Sequence, residues 1–452
     1  MDNGLNEQKN NENSASMIND VAKAPRENVT AVTKGRTRRG LVIGISMASL
    51  LIIVVIAIVV VVVSMKQNNS QNDSTGENGN SNDDSSSAVE DNEKNDNDAV
   101  VLLGIEDLSA GTVTTTIGGK SVTYKAKYVV DGVAAEIKGG TYESTEDDEV
   151  VFLVINGGAL SLDGVTVNKS GSADFSGRGD SYSFYGTNSA IVVAGEGSQI
   201  GMANVTVNTS TGGANAVVAS DSGSVISGEI TINTTKDSSR GLHATYGGEI
   251  ISNGGVITTQ GRSSAALATD RGAGTVKAVG MELSTAGAGS PLIYSTGEIS
   301  VASSTGIATG AQIAVVEGKN SIEINDCDFS TNGIGNRNSV DNAAIMIYQS
   351  MSGDASMGMG EFYAADSKLT VLPESSVYAT TPFFFVTNTT ANIELSNVVA
   401  NFYADGYFVL AAGTNEWGKT GSNGGIVTIE ATDLTATNTN IGMDEISEVK
   451  GL

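Results

Sequence analysis

The chain of 452 residues holds one cysteine, one histidine and one tryptophan. With Cys327 alone, no disulfide can form within the chain. One histidine and one tryptophan leave few parts for histidine-based catalysis or a haem site. Basic residues are also scarce: 25 Lys and Arg stand against 51 Asp and Glu, for a net charge of −26. With no basic stripe, a nucleic-acid binder that works by neutralising phosphates is excluded. The acidity fits a solvated surface that keeps an exposed protein soluble. Amphipathic 3.6-residue spacing is missing from the body of the chain, and so is the Leu/Asn pattern of a leucine-rich repeat.

One long apolar run is present. Residues 41–63 carry no charge and are mostly Ile, Val and Leu. As a helix they would span roughly 35 Å, enough for a hydrocarbon core about 30 Å thick. Lys34, Arg36, Arg38 and Arg39 precede the run, while Lys66 and then Asp73, Glu77, Asp83 and Asp84 follow it. Basic flanks stay on the cytoplasmic side, so the N-terminus is expected inside and the C-terminal region outside. A cleaved signal peptide would have a shorter apolar region and an A-x-A-like site, and Ser64-Met-Lys66 offers none.

These features divide the chain into a cytoplasmic tail (1–40), a transmembrane helix (41–63), an acidic Asn/Ser linker (64–98) and an extracellular domain (99–452). The tail contains no recognisable signalling module. The linker lacks the apolar content to offset its ordering entropy and is expected to be disordered, holding the outer domain off the membrane. An outer domain of this size without disulfides is more typical of a bacterial surface protein.

The outer domain repeats. A short apolar run recurs as Ala190-Ile-Val-Val, Ala216-Val-Val-Ala, Gly241-Leu-His-Ala, Ala265-Ala-Leu-Ala, Pro291-Leu-Ile-Tyr and Gln312-Ile-Ala-Val, at intervals of 26, 25, 24, 26 and 21 residues. Longer intervals lead to Ala344-Ile-Met-Ile and Pro382-Phe-Phe-Phe. After each run comes a Gly-rich turn and a β-branched strand such as Ser224-Val-Ile. A third, alternating element follows, such as Val205-Thr-Val207 or Ile230-Thr-Ile232. Three short period-two strands per repeat describe one rung of a solenoid. A propeller blade would be longer and need four strands. The expected fold is therefore all-β, a right-handed parallel β-helix whose rungs stack about 4.8 Å apart. Residues 134–142 look like a first rung, and residues 100–133 are expected to cap the N-terminal edge. Ile191, Val217, Leu242, Leu267 and Leu292 should form one buried file. Cys327 falls where neighbouring rungs carry Met281 or Ile230, which makes it a core residue.

The phrases Ser239-Arg-Gly-Leu-His-Ala-Thr-Tyr-Gly-Gly248, Ala266-Leu-Ala-Thr-Asp-Arg-Gly272, Gly289-Ser-Pro-Leu-Ile-Tyr-Ser-Thr-Gly297, Ala311-Gln-Ile-Ala-Val-Val-Glu-Gly-Lys-Asn320 and Met346-Ile-Tyr-Gln-Ser-Met-Ser-Gly-Asp354 resemble right-handed β-helix surface proteins of gut-dwelling Firmicutes and related microbes. Those proteins are described as adhesin-like or carbohydrate-binding. The resemblance spans roughly residues 150–432. It implies a surface role and supplies no catalytic motif. Relatives continue for further rungs, whereas this chain stops at Val449-Lys-Gly-Leu452 with no evident amphipathic cap.

The residues just after each apolar run fall in register: Thr245-Tyr246, Asp270-Arg271, Tyr294-Ser295, Glu317-Gly-Lys319, Tyr348-Gln349-Ser350 and Thr387-Asn388. Arg240, His243, Arg337 and Asp341 are expected nearby. Stacked, they make a polar column of carboxylates, cations, amides and tyrosines, which suits an extended sugar chain. The candidate ligand-binding residues are Asp270, Arg271, Tyr294, Glu317, Lys319, Tyr348 and Gln349. The alternative is that Asp270-Arg271 and Glu317-Lys319 are ion pairs within the stack.

The architecture resembles that of pectate lyases and polygalacturonases, so a polysaccharide lyase or hydrolase is a further alternative. Asp270 and Glu317 would stand two rungs, roughly 10 Å, apart, at or beyond the range of an inverting pair. No dense carboxylate cluster for a calcium-dependent lyase accompanies Arg271 or Lys319. No catalytic residue, metal site or cofactor is assigned. The expected partners are glycans or ligands on host or neighbouring cell surfaces, with the membrane engaged through residues 41–63. A third possibility is a passive spacer, whose polar column would be wholly self-paired.

Arg178-Gly-Asp180, an integrin-type tripeptide, lies in a polar insertion between two rungs (169–187), where Gly, Asp and Ser are generic turn residues. Asn168, Asn204, Asn208, Asn233 and Asn388 begin N-x-S/T sequons, which a Thr/Asn-rich β-helix produces by composition.

Overall fold

A computed structural model describes residues 102–336, 339–419 and 421–452. The cytoplasmic tail, apolar run and linker expected from sequence lie outside the described residues, as does Arg337. Among the described residues, no helix is long and apolar enough to cross a membrane.

The domain is a solenoid of two long sheets, one of 13 strands and one of 20. Each coil lays one short strand in the first sheet and then turns into the second, where it makes a longer strand or two short ones separated by a corner. Three consecutive coils show the pattern: Val217–Ser220 then Ser224–Thr234, Leu242–Thr245 then Gly248–Thr259, Leu267–Thr269 then Gly274–Thr285. Every strand pairs in parallel with its equivalent one coil away, except at the N-terminal edge. There Gly111–Ile117 pairs antiparallel with Lys120–Asp131, closing the edge of the first sheet with a hairpin.

In the second sheet, side chains alternate between buried and exposed, as in Ser224–Thr234. Its inward residues, among them Val225, Ile232, Ile250, Ile257 and Val276, belong to the same continuous core as the inner face of the first sheet. The corner between the two halves of this sheet needs a left-handed residue. Gly254 and Gly280 take it with φ of 76° and 67°, and Asn204, Asp326, Asp366 and Asn397 with φ of 49–54°. Gly, Asn and Asp are the residues that tolerate this region best. The apolar periodicity is thus interrupted at a fixed place in each coil.

From Glu149–Ile155 through Val409–Ala411, no strand of the first sheet has an exposed position on either face. Ile191–Ala194, Val217–Ser220 and Leu242–Thr245 are buried at every position. Toward the N-terminus, Ile117, Val122 and Tyr124 of the hairpin and Phe184 and Tyr185 of the insertion cluster with Leu153, Val192 and Val218 on the outer face. Toward the C-terminus, Val340, Ala343 and Trp417 cluster with Val315, Met346 and Phe385. Double burial is why these strands read as unbroken apolar runs rather than alternating ones.

The core file contains Ile191, Val217, Leu242 and Leu267, each fully buried and paired in register. Its next member is Ile293, not Leu292. Leu292 is also buried but stands one residue earlier, where its carbonyl accepts from the Leu267 amide. The repeats therefore run 26, 25, 25 and 26 residues from Ile191 to Ile293, so the expected 24-residue interval is corrected to 25. A strand apolar on both faces gives no hydropathy signal that would reveal a one-residue slip.

Two smaller expectations have clear outcomes. Cys327 is buried in the core, and burial pushes its thiol up to about 11. Three sequon asparagines form a ladder: Asn233 Nδ2 donates to Asn208 Oδ1 at 3.0 Å, and Asn208 Nδ2 to Asn168 Oδ1 at 2.9 Å. The stacking of amides explains their recurrence.

Candidate functional site: a covered polar column

The outward residues of the first sheet stack Val218, His243, Ala268, Tyr294 and Val315 in one line. Beside them, Glu317 pairs in register with Tyr348 and Tyr348 with Thr387. The polar column predicted from the repeat is therefore brought together, with Asp270 and Glu317 two rungs apart. Most of it lies beneath segments that the repeat did not reveal.

Asp270 is buried. Its Oδ2 receives Arg240 Nη2 at 3.1 Å and lies 3.8 Å from His243 Nε2, too far for a hydrogen bond. Burial acts to raise the Asp270 pKa, but the donors around it, with the Arg240 guanidinium at 3.1 Å and the Arg271 amide at 3.0 Å, outweigh it and hold the carboxyl below its usual range. His243 has no exposed surface, and neither ring nitrogen has a hydrogen-bond partner. Burial drives its pKa down to about 4, so the ring is neutral at physiological pH.

Arg271 joins two covering segments. Its Nη2 and Nε meet Asp354 Oδ1 at 2.6 and 2.8 Å, and its Nη1 meets Asp180 Oδ2 at 3.1 Å. The guanidinium lies 3.9 Å from the centre of the Phe184 ring. Asp180 and Phe184 belong to the insertion between rungs, and Asp354 to the loop after Ile345–Tyr348.

Glu317, also buried, accepts from three hydroxyls: Tyr294 Oη, Tyr348 Oη at 2.8 Å, and Ser350 Oγ. Both phenols are held well above their usual pKa, chiefly by burial. Tyr348 packs edge-on to Trp417 with ring centres 5.2 Å apart. Gln349 is buried, and its Oε1 lacks a partner. Lys319 is exposed, and its stem lies against Gly358 of the covering loop. Among the described residues it forms no ion pair, so the Glu317–Lys319 pairing considered from sequence does not form. Asp270 pairs with Arg240 rather than with Arg271.

Thr245 Oγ1 donates to the Phe184 carbonyl, and the Tyr246 ring stacks on Tyr185. Asp341 Oδ2 accepts from the Asn336 amide, and the Asp341 carbonyl accepts from Gln312 Nε2 at 2.7 Å. The Arg-Gly-Asp tripeptide is not extended. Gly179–Ser183 is a single helical turn. Arg178 Nη1 holds both Asp148 oxygens at 2.6 and 2.7 Å, and Asp180 is held by Arg271.

Sequence reasoning missed Asp180, Phe184, Asp354 and Trp417 as members of this site. They sit in insertions of irregular length, where the only available signal was the interruption of the repeat. No group of three or more His, Cys, Asp or Glu positioned to hold a metal occurs among the described residues. Chemically, the column is a set of ion pairs and charge-assisted hydrogen bonds that anchors loops to a sheet. Compared with known protein families, curated proteins and solved structures, the chain matches none.

Proposed function

We propose that the chain is a membrane-anchored surface protein that displays a right-handed β-helix outside the cell through residues 41–63, and that the rod is adhesin-like and non-catalytic. One observation carries the non-catalytic reading. Asp270 and Glu317, the carboxylates best placed for acid–base work, are buried and committed to intramolecular partners. A hydrolase needs two carboxylates facing a substrate space, and here that space is filled by the covering loops.

The same observation bears on how glycans could be bound. Asp270, Glu317 and Gln349 are buried and could meet a sugar only if the segments carrying Asp180 and Asp354 lifted away, whereas Arg271, Tyr294 and Tyr348 are half-buried and Lys319 is reachable as it stands. Contacts with glycans or cell-surface ligands are better served by the open faces of the rod, whose polar residues project in regular ladders. The self-paired column also favours a second reading, a passive spacer.

Two experiments on the full chain test this. In intact bacteria producing it, external protease should remove the domain and leave the N-terminal tail; a protected domain overturns the topology. The detergent-solubilised chain should be retained on some members of a glycan array while releasing no reducing-end or unsaturated products from a polysaccharide panel. Product release overturns the non-catalytic reading, and no retention on any glycan leaves the spacer.

A further inference from the structure

The rod carries an open trough of about 470 Å³ along the corner of the second sheet. One wall is a stack of left-handed corner residues, Ser303, Asp326, Asp366 and Asn397. The opposite wall is formed by Thr305, Asp328 and Lys368, which lie in register on successive rungs. The floor is Ser304, Cys327 and Ser367, in the place that Ile230 and Met281 fill on earlier rungs. The corner between the two walls leaves a channel whose lining repeats from rung to rung.

The trough's side chains are tied only lightly. Asp326 Oδ2 accepts from Ser303 Oγ at 2.9 Å, and Asp366 Oδ1 from Asn397 Nδ2 at 2.7 Å. Among the described residues, no hydrogen bond reaches the other oxygen of either carboxylate, and both residues line the trough. Lys368 and Asp328 pair at 3.1 Å with both side chains more than half exposed, an arrangement worth little that can reopen at little cost. Acceptors thus recur along the axis at one rung per step, about 4.8 Å, with one cationic donor beside them.

We propose that this trough is a binding site for a linear, uncharged, hydroxyl-rich chain, a neutral oligosaccharide lying along the rod. The proposal rests on the surface-glycan reading above and gives it a location other than the covered column. Hydroxyl donors suit these carboxylate oxygens, through charge-assisted bonds that are about twice as strong as neutral ones. Three carboxylates against one lysine repel sulfated or uronic chains. No aromatic ring lines the trough, so binding relies on hydrogen bonds rather than stacking and favours chains long enough to meet several rungs.

The test uses the full chain in detergent, immobilised, with cellohexaose and xylohexaose as probes and spermine as a cationic comparator. Asp326→Asn/Asp366→Asn keeps both the left-handed preference and an acceptor for Ser303 and Asn397, so the corner should still fold. Asp433→Asn changes a corner residue with φ of 55° outside the trough. The expected result is hexaose binding that falls at least tenfold in the double variant and is unchanged in the Asp433 variant. Equal binding by the double variant and wild type overturns the trough while leaving a glycan-binding rod. Spermine binding that the double variant loses, with no hexaose binding, overturns the ligand class. If the wild type binds neither the hexaoses nor any glycan on the array, the trough falls together with the glycan reading.

Discussion

Arg271 is the side chain on which the cover of the first sheet most depends, and its replacement by methionine gives the sharpest check. Methionine keeps an apolar stem on Phe184 and removes the charge. The two hydrogen bonds to Asp354 lie at 2.6 and 2.8 Å, and that carboxylate is only 20% exposed, so their loss costs about 1.5–3 kcal/mol. The cation–π contact with Phe184 adds about 0.5–1 kcal/mol. The Asp180 pair, on a carboxylate 67% exposed, adds close to nothing. A total of about 2–4 kcal/mol corresponds to a rise of about 30- to 900-fold in local opening of the two covering segments. Solenoids open locally because each repeat touches only its neighbours, so the change should stay near residues 170–189 and 350–358. Native-state hydrogen exchange followed by peptide mass spectrometry reads this directly. Protection there should drop while that of Ser224–Thr234 holds. Asp354→Asn should add little on top of Arg271→Met, since both break the same bond. Protection within twofold of wild type, or an equal loss over every rung, would refute the argument that Arg271 secures the cover.

Three other outcomes are expected. Burial holds the His243 pKa at about 4, so the unfolded chain takes up this proton first as pH falls below about 6.5, and stability drops by up to about 3 kcal/mol between there and pH 4. Asp270, whose folded pKa is depressed, acts in the same direction below the usual carboxylate range. His243→Leu should flatten the pH 4–6.5 part of a thermal-melting profile, and an unchanged slope contradicts the assignment. Phe384→Ala removes a fully buried ring that packs on Phe362, Phe383 and Phe408 and should cost about 3–5 kcal/mol, felt in the C-terminal rungs by hydrogen exchange. Asn208→Asp replaces an amide donor with an acceptor facing Asn168 Oδ1; it should lower the melting temperature more than Asn208→Ala does, and the reverse order would sink the ladder account.

The parallel stack was legible in the chain before any coordinates. Rung length, β-branched strands and turn residues repeat because every coil solves the same packing problem, and local pattern is enough to show it. Ile191, Val217, Leu242 and Leu267 fell into one file for that reason. The same logic correctly placed Asp270 and Glu317 two rungs apart and Cys327 in the core. The tertiary structure alone decided the register at Ile293, where apolarity on both faces erases the signal of a one-residue shift. It alone decided the surroundings of the column as well. Asp180 and Asp354 reach Arg271 from insertions far away in the chain, and no periodicity relates an irregular loop to the rung it covers. Local repetition is set by neighbours in sequence. The burial of a charged side chain is set by whichever distant segment folds across it.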